Sequence, residues 1–238
     1  MDLKNKVAIV TGASSGIGEA IVENLHEAGV KLIFTGQREE KLQSLAGRIP
    51  GSEFLAGDLV DAQMPGRLIE MAQQAFGRCH IVINNAGIIE RGPIGEIDVD
   101  LVCRMVRVNT EAAFRMAYVA LRHFQEQGGG DLVNITSVLG TKIRPHIGAY
   151  AGTKYALEAL SEALRMELAG SDVRVICVQP GLVMTDLHRN LDVHPSAAMG
   201  IDKPLQPADV ARCVRFALEQ PAHVNIPRLM VLPTDQEI

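Results

Sequence analysis

The chain has 238 residues, of which 47% are hydrophobic and 21% charged, with a formal net charge of −5 at pH 7. That composition belongs to a folded globular chain and lies far from the low-hydrophobicity, high-charge regime of disorder. With acids and bases mixed along its length, no apolar run of ~18 residues and an N-terminus that breaks into glycines early, it is expected to be cytoplasmic and to bind neither nucleic acid nor membrane.

Short β-rich runs alternate with longer helical patterns, beginning with a strand at Val7–Thr11 and a helix over Gly16–Ala28. Between them Gly12, Gly16 and Gly18 stand where missing side chains let backbone N–H groups approach a pyrophosphate at the positive end of a helix. Tight packing alone would also use glycines, and the spacing is G-x-x-x-G-x-G. Its place at the first strand–helix junction is what points to a dinucleotide.

A second strand over Lys31–Thr35 runs into a helix over Glu39–Arg48. No acid stands at that strand's tip, where one would bind a free ribose 2′-hydroxyl; Gly36 leaves room, and Arg38 can meet a 2′-phosphate. NADP(H) is therefore favoured over NAD(H), although Gln37 adds no charge and Arg38 could be an ordinary solvated first-turn residue. The pattern continues with a strand at Glu53–Ala56, a helix over Ala62–Phe76, a strand at His80–Asn84 and a long helix over Asp98–Gln127, stopped by three glycines at 128–130.

The fifth strand, Asp131–Thr136, releases Ser137, and a helix over Ala149–Ala169 carries Tyr150 and Lys154 four residues apart on one face. A free phenol has a pKa of ~10, too high for proton transfer near neutrality unless a cation stabilises its phenolate, and Lys154 can be that cation. Ser137 can hydrogen-bond the substrate oxygen that exchanges a proton with Tyr150. An amphipathic helix that happens to contain a tyrosine is the plain alternative. Leu157, Leu160, Leu164 and Leu168 mark an apolar stripe on the same helix.

A sixth strand at Val173–Gln179 precedes the least regular stretch, residues 181–206, expected to cover a ligand at the carboxyl ends of the strands. A helix over Pro207–Glu219 and a strand over Asn225–Leu232 follow. Seven strands interleaved with helices imply an α/β, Rossmann-like three-layer αβα fold with a seven-stranded parallel sheet, in one domain spanning residues 1–238. The four cysteines, Cys79, Cys103, Cys177 and Cys213, are scattered and read as buried free thiols. His188 and His194 with Asp186 and Asp192 form the only grouping of metal-ligand types, without a recognised ligand spacing, and no metal is expected.

TGASSGIG at 11–18, GDL at 57–59, NNAG at 84–87, Asn109, Ser137, YAGTK at 150–154 and PG at 180–181 resemble, in order and spacing, the short-chain dehydrogenase/reductase superfamily. The resemblance covers essentially the whole chain. It implies an NAD(P)-dependent oxidoreductase in which Tyr150 is the general acid or base and Lys154 lowers its pKa and holds the nicotinamide ribose. Ser137 would orient the substrate, and Asn109 would support a proton relay through water.

By the same resemblance Gly12, Ser14, Ser15, Gly16, Ile17 and Gly18 cradle the pyrophosphate, and Gln37 and Arg38 lie at the adenosine ribose. Asp58, beside Leu59, meets the adenine amino group. Asn85, Ala86 and Gly87 line the nicotinamide ribose, Pro180, Gly181 and Val183 the nicotinamide amide, and Thr185 a phosphate oxygen. Residue by residue, simpler roles stay open: Asp58 as a strand-end cap, Asn85 to Gly87 as a turn, Asn109 as a cap or kink.

The implied partners are a small carbonyl or alcohol substrate and copies of the same chain, as a homodimer or homotetramer joined through the helices of Asn109 and Tyr150. The leucine stripe serves either that interface or the core. Arg91 and Arg144 hint at an anionic substrate. Rival readings are a nicotinamide-binding regulatory or structural module without turnover, and an epimerase or dehydratase on the same scaffold.

Overall fold

A computed structural model describes residues 1–188 and 195–237. Its strands are β1 (Val7–Thr11), β2 (Lys31–Gly36), β3 (Glu53–Ala56), β4 (Ile81–Asn84), β5 (Gly130–Ile135), β6 (Val173–Pro180) and β7 (Arg228–Val231). All seven lie in one sheet in the order β3-β2-β1-β4-β5-β6-β7, and every neighbouring pair is parallel. The helices are α1 (Gly16–Glu27), α2 (Glu39–Arg48), α3 (Met64–Phe76), α4 (Val99–Val106), α5 (Ala113–Gln127), α6 (Gly148–Glu167), α7 (Pro195–Met199) and α8 (Pro207–Glu219).

Alternate residues of each strand feed two separate cores, which is why β1 is buried at all five positions. Ala8 and Val10 pack with Ile21 and Leu25 of α1, Leu42 and Leu45 of α2, and Val210 and Val214 of α8. Val7 and Ile9 face the opposite way, onto Leu68 of α3, Met116 and Phe124 of α5, and Leu164 of α6. The result is the expected Rossmann-like three-layer arrangement. From β1 the chain moves to β2 on one side and later returns to β4 on the other. That reversal opens a crevice at the carboxyl ends of β1 and β4, the general ligand position in such sheets.

Two expectations are revised, and one left open between core and interface is settled. The single helix expected over Asp98–Gln127 is a helical run interrupted by a π segment at Arg107–Ala112, which contains Asn109. A π turn adds one residue without breaking the apolar pattern, so periodicity does not reveal it. The last strand shrinks to Arg228–Val231 because only those residues pair, with Cys177 to Pro180 of β6. The leucine stripe of α6 belongs to the core: Leu164 and Leu168 are buried in it, Leu160 packs against it, and Leu157 is also buried.

The irregular stretch at 181–206 is closed at its base by a parallel bridge between Val183 and Leu205. Within it lie a 3₁₀ turn at Asp186–His188 and α7; residues 189–194, and with them Asp192 and His194, fall outside the described residues. Among the described residues no helix is long and apolar enough to cross a membrane.

Candidate active site

At the end of β1, Gly12 turns with φ of +68°, and a Cβ there would stand 2.7 Å from Ala86 Cα. A Cβ on Gly18 would come within 2.3 Å of Gly12 O. The β1–α1 turn and the exit of β4 are therefore pressed together too closely for side chains. Thr11 ties them: its hydroxyl donates to Ile83 O at 3.3 Å and accepts from Asn85 N at 3.0 Å and Ala86 N at 3.1 Å. Asn85 Nδ2 completes the junction by donating to Thr11 O at 2.9 Å and Gly12 O at 3.2 Å. Thr11 was not foreseen; its signal is a hydroxyl ending an otherwise apolar strand.

The amino end of α1 after Ser15 carries no side-chain cap, the arrangement in which first-turn N–H groups serve an anion. Ser14 occupies the space that Gly36 leaves, since a Cβ at 36 would lie 3.1 Å from Ser14 Cβ. Gly36 thus serves the packing of the turn, where a side chain would press on Ser14. Arg38 Nε and Nη2 both donate to Ser14 Oγ at 3.3 Å, and Nη2 also reaches Ser14 O at 3.3 Å and the Ser15 hydroxyl. Its Nη1 lies 3.6 Å from Asp186 Oδ2, a carboxylate from the stretch after β6. The guanidinium consequently lies over the glycine turn, partly exposed.

Asp58 acts as a strand-end cap, Oδ1 accepting from Val60 N at 3.0 Å, and also pairs with Arg104 of α4, whose Nη2 reaches Oδ2 at 3.0 Å. Burial pushes its carboxyl up, but Val60 N–H, Arg104 and a hydrogen bond with Gln37 together hold it below the usual range. Leu59 beside it is buried.

Asn109, 1% exposed, has both ends of its amide engaged. Oδ1 accepts from Ile88 N at 2.9 Å, while Nδ2 donates to Ile88 O at 2.8 Å and Thr153 Oγ1 at 3.3 Å. The side chain therefore staples the segment after β4 to α6. Gly87 sits at the meeting point, where a Cβ would be 3.4 Å from Asn109 Oδ1 and 3.7 Å from Lys154 Nζ.

Ser137 leaves β5 and caps a 3₁₀ turn at Val138–Gly140, its Oγ accepting from Leu139 N at 3.1 Å. Ser137, Tyr150 and Lys154 are all nearly inaccessible, at 8%, 7% and 5% exposure. Burial pushes the Tyr150 phenol up to about 12, and a hydrogen bond with Ser137 opposes it. Burial also pushes Lys154 down to about 8, with Glu158 and Cys177 acting in the opposite sense. Lys154 Nζ donates to Ile135 O at 3.0 Å and lies 5.8 Å from the Tyr150 ring centroid. Burial dominates the phenol here, and Ser137 is the group that opposes it.

Past β6, Gly181 N donates to Val231 O at 2.8 Å, fixing the Pro180-Gly181 turn. Gln236, absent from the sequence expectations, closes over it: its Oε1 accepts from Leu182 N at 2.8 Å and would lie 2.3 Å from a Cβ at 181. Thr185 returns to the glycine turn, with Cγ2 3.1 Å from where a Gly16 Cβ would be. A cavity of about 490 Å³ is lined by Glu90, Gly92, Ile94, Ile97, Pro145, His146, Gly148 and Ala149, the last next to Tyr150 in the chain. Neither Arg91 nor Arg144 lines it; Arg144 instead donates to Glu237 O at 2.7 Å.

The four cysteines are free, but only Cys79 and Cys177 are buried as expected; Cys103 is exposed and Cys213 half-buried. Burial pushes the thiols of Cys79 and Cys177 up to about 12. Among the described residues no three His, Cys, Asp or Glu side chains gather as a metal site.

Residues 6–195 match the family model described as short chain dehydrogenase. An uncharacterized oxidoreductase of Staphylococcus aureus (strain USA300) is 37% identical over 233 residues, covering 97% of this chain and 98% of the relative. Among solved structures, the alcohol dehydrogenase of the archaeon Thermococcus sibiricus in complex with 5-hydroxy-NADP is 28% identical with a TM-score of 0.86, covering 98% of each chain. The 3-ketoacyl-(acyl-carrier-protein) reductase of Brucella melitensis in complex with NADH is 26% identical with a TM-score of 0.89, covering 98% of this chain and 99% of that one. A sheet reversing at β1, a glycine turn that admits no side chain, and this likeness over nearly the full length lead to one conclusion: the chain belongs to the short-chain dehydrogenase/reductase family of oxidoreductases.

Proposed function

We propose that the protein is a cytoplasmic, NADP(H)-preferring oxidoreductase that interconverts a secondary alcohol and a ketone. The observation that carries this reading is the buried triplet of Ser137, hydrogen-bonded to a protonated Tyr150, with Lys154 one helical turn away. The glycine cradle fits a dinucleotide, since Cβ atoms at Gly12 and Gly18 would collide with backbone and α1 begins without a side-chain cap. Gly12, Ser14, Ser15, Gly16, Ile17 and Gly18 would hold its pyrophosphate, and Gln37 and Arg38 its adenosine ribose. Asp58 and Leu59 would meet the adenine; Asn85, Ala86, Gly87 and Lys154 the nicotinamide ribose; and Pro180, Gly181, Val183 and Thr185 the amide and its phosphate. When bound, the nicotinamide supplies or takes up a hydride.

The chain's own residues manage the proton. In reduction, Ser137 and Tyr150 donate hydrogen bonds to the ketone oxygen, and the phenolic proton passes to that oxygen as alkoxide character develops. Lys154 would return the proton to Tyr150 and regain it from water. Asn109, with its amide engaged by Ile88 and Thr153, acts by holding α6 in place beside the segment that contains Gly87.

The preference for NADP(H) rests on Arg38, the cation over the glycine turn; Asp186 beside it opposes a 2′-phosphate and makes the preference moderate. The cavity that contains Ala149, next to Tyr150, has both Glu90 and His146 in its lining, so neutral and anionic substrates are both to be tried. The decisive experiment is a panel of neutral and anionic ketones and alcohols with each cofactor, followed by the absorbance of the reduced nicotinamide. Net oxidation of NADPH by a ketone of the panel is expected; binding of NADPH with no turnover on any member would favour the regulatory module, and substrate conversion without net cofactor oxidation the epimerase or dehydratase.

A further inference from the structure

One turn beyond Lys154 on α6 lies Glu158, a carboxylate only 4% exposed. Its Oε2 accepts from Arg228 Nε of β7 at 3.1 Å, while Oε1 is buried without a hydrogen-bond partner. Such burial is costly for an anion unless opposite charge offsets it. Arg228 offsets part; it is half-exposed and divides itself with Glu162, whose Oε2 is 3.9 Å away. The turn after Ser137 is shaped around this side chain, because a Cβ at Gly140 would stand 3.0 Å from Glu158 Cγ and 3.3 Å from Lys154 O.

The other groups around the pair carry no competing charge at neutral pH. Cys177 of β6 is a buried thiol pushed up to about 12, and Tyr150 is protonated. Ser161 of α6 and Asn134 of β5 are neutral and bonded to each other at 2.9 Å, as are Thr153 and Asn109 at 3.3 Å. Among the described residues, Glu158 is the first group opposing the effect of burial on Lys154; Cys177 acts in the same sense only once its thiol is ionised.

Building on the oxidoreductase reading above, we propose that Glu158 is a positioning residue for Lys154: tethered by Arg228, it keeps the buried ammonium charged through the neutral range, ready to hold the ribose and return a proton to Tyr150. Burial alone drives Lys154 downward, and it stays at about 8 with Glu158 opposing that drive. Removing the carboxylate therefore lowers Lys154 further and neutralises it nearer pH 7.

The test titrates the lysine side chains of the cofactor-free, full-length protein by NMR, with Lys154 assigned as the resonance missing from Lys154→Met. Binding of NADPH and NADH is followed over the same pH range. Glu158→Gln is expected to move the Lys154 midpoint, and the alkaline loss of cofactor binding, down by about one pH unit or more. Glu158→Asp, which keeps the charge, should recover most of the shift, whereas a packing role alone would leave both midpoints where they are. A folded Glu158→Gln protein with an unmoved Lys154 midpoint overturns the proposal. Should that variant fail to fold, Arg228→Gln at its half-exposed position decides: the midpoint falls if losing the tether weakens the hold of Glu158 on Lys154, and a midpoint that does not fall overturns it. Wild type that binds neither cofactor at any pH sinks the oxidoreductase reading, while the cofactor-free titration still judges the hold of Glu158 on Lys154.

Discussion

Tyr150 and Lys154 are displaced in opposite directions by one cause, burial, which penalises phenolate and ammonium alike. A phenol at about 12 is protonated at neutral pH and is a ready donor for ketone reduction, whereas alcohol oxidation needs it deprotonated. The expected pH profiles therefore diverge: kcat for oxidation climbs with pH on the alkaline side of neutrality, and kcat for reduction does not. Oxidation running faster at acid than at alkaline pH would remove Tyr150 from the role. Tyr150→Phe keeps the ring and Lys154, so fold and cofactor affinity should survive while kcat falls by ~10²–10⁴. Stopped-flow turnover beside fluorescence titration of the reduced nicotinamide separates the two. At the other end of the cleft, Arg38→Ala should cost NADP(H) at least roughly tenfold more than NAD(H), the worth of a charge-assisted contact. Asp186→Asn, which removes the opposing charge, should raise NADP(H) affinity about two- to fivefold; equal effects on both cofactors would show that neither residue reads the phosphate.

Elements are tied to one another at few but well-defined points. Asp131 of β5 and Arg174 of β6 are directly paired across the strands and joined by two bonds, Nε to Oδ1 at 2.6 Å and Nη2 to Oδ2 at 2.9 Å. The same guanidinium donates to Leu218 O at 3.1 Å, at the end of α8, and to Val224 O at 3.1 Å beyond it. Both side chains are nearly buried, at 6% and 10% exposure, so Arg174→Ala strands a carboxylate in the core. A loss of about 3–5 kcal/mol is expected in urea unfolding, against little change for Arg212→Ala, an exposed i,i+3 pair on α8. The π segment plays the corresponding part at the site, carrying Asn109 into the gap between Ile88 and Thr153.

At the scale of the whole molecule, α6 serves the core with its leucines and leaves other apolar side chains outside, including Tyr155 at 38% and Met166 at 58% exposure. The neighbouring helical run exposes Val106 at 43% and Tyr118 at 45%. We expect these faces to join copies into a dimer or tetramer. Light scattering at micromolar concentration should then report a multiple of the single-chain mass, and charged substitutions at Met166 and Tyr118 should lower it. A single-chain mass for the wild type would end that expectation.

Much of this molecule follows from patterns confined to a few neighbouring residues. The buried run Val7–Thr11, the glycines after it and the four-residue step from Tyr150 to Lys154 were legible because strand alternation, turn geometry and helix pitch act locally. Read in order, the same short motifs were enough to indicate the family. What a polar or apolar side chain meets across the fold was not legible, since partners are chosen by which strand ends and helices come together. Thus Leu164 joined the core, Ser14 came to pack against Gly36, and Asn109 spent its amide on Ile88 and Thr153. Arg38 acquired Asp186, and Gln236 reached back to Leu182. Burial, also a tertiary property, raised the phenol that its lysine neighbour was expected to lower. The sequence by itself determined the sheet, the glycine turn and the family; the tertiary structure decided the burial and partners of the polar residues near that turn, because desolvation and long-range contact exist only once the chain has folded.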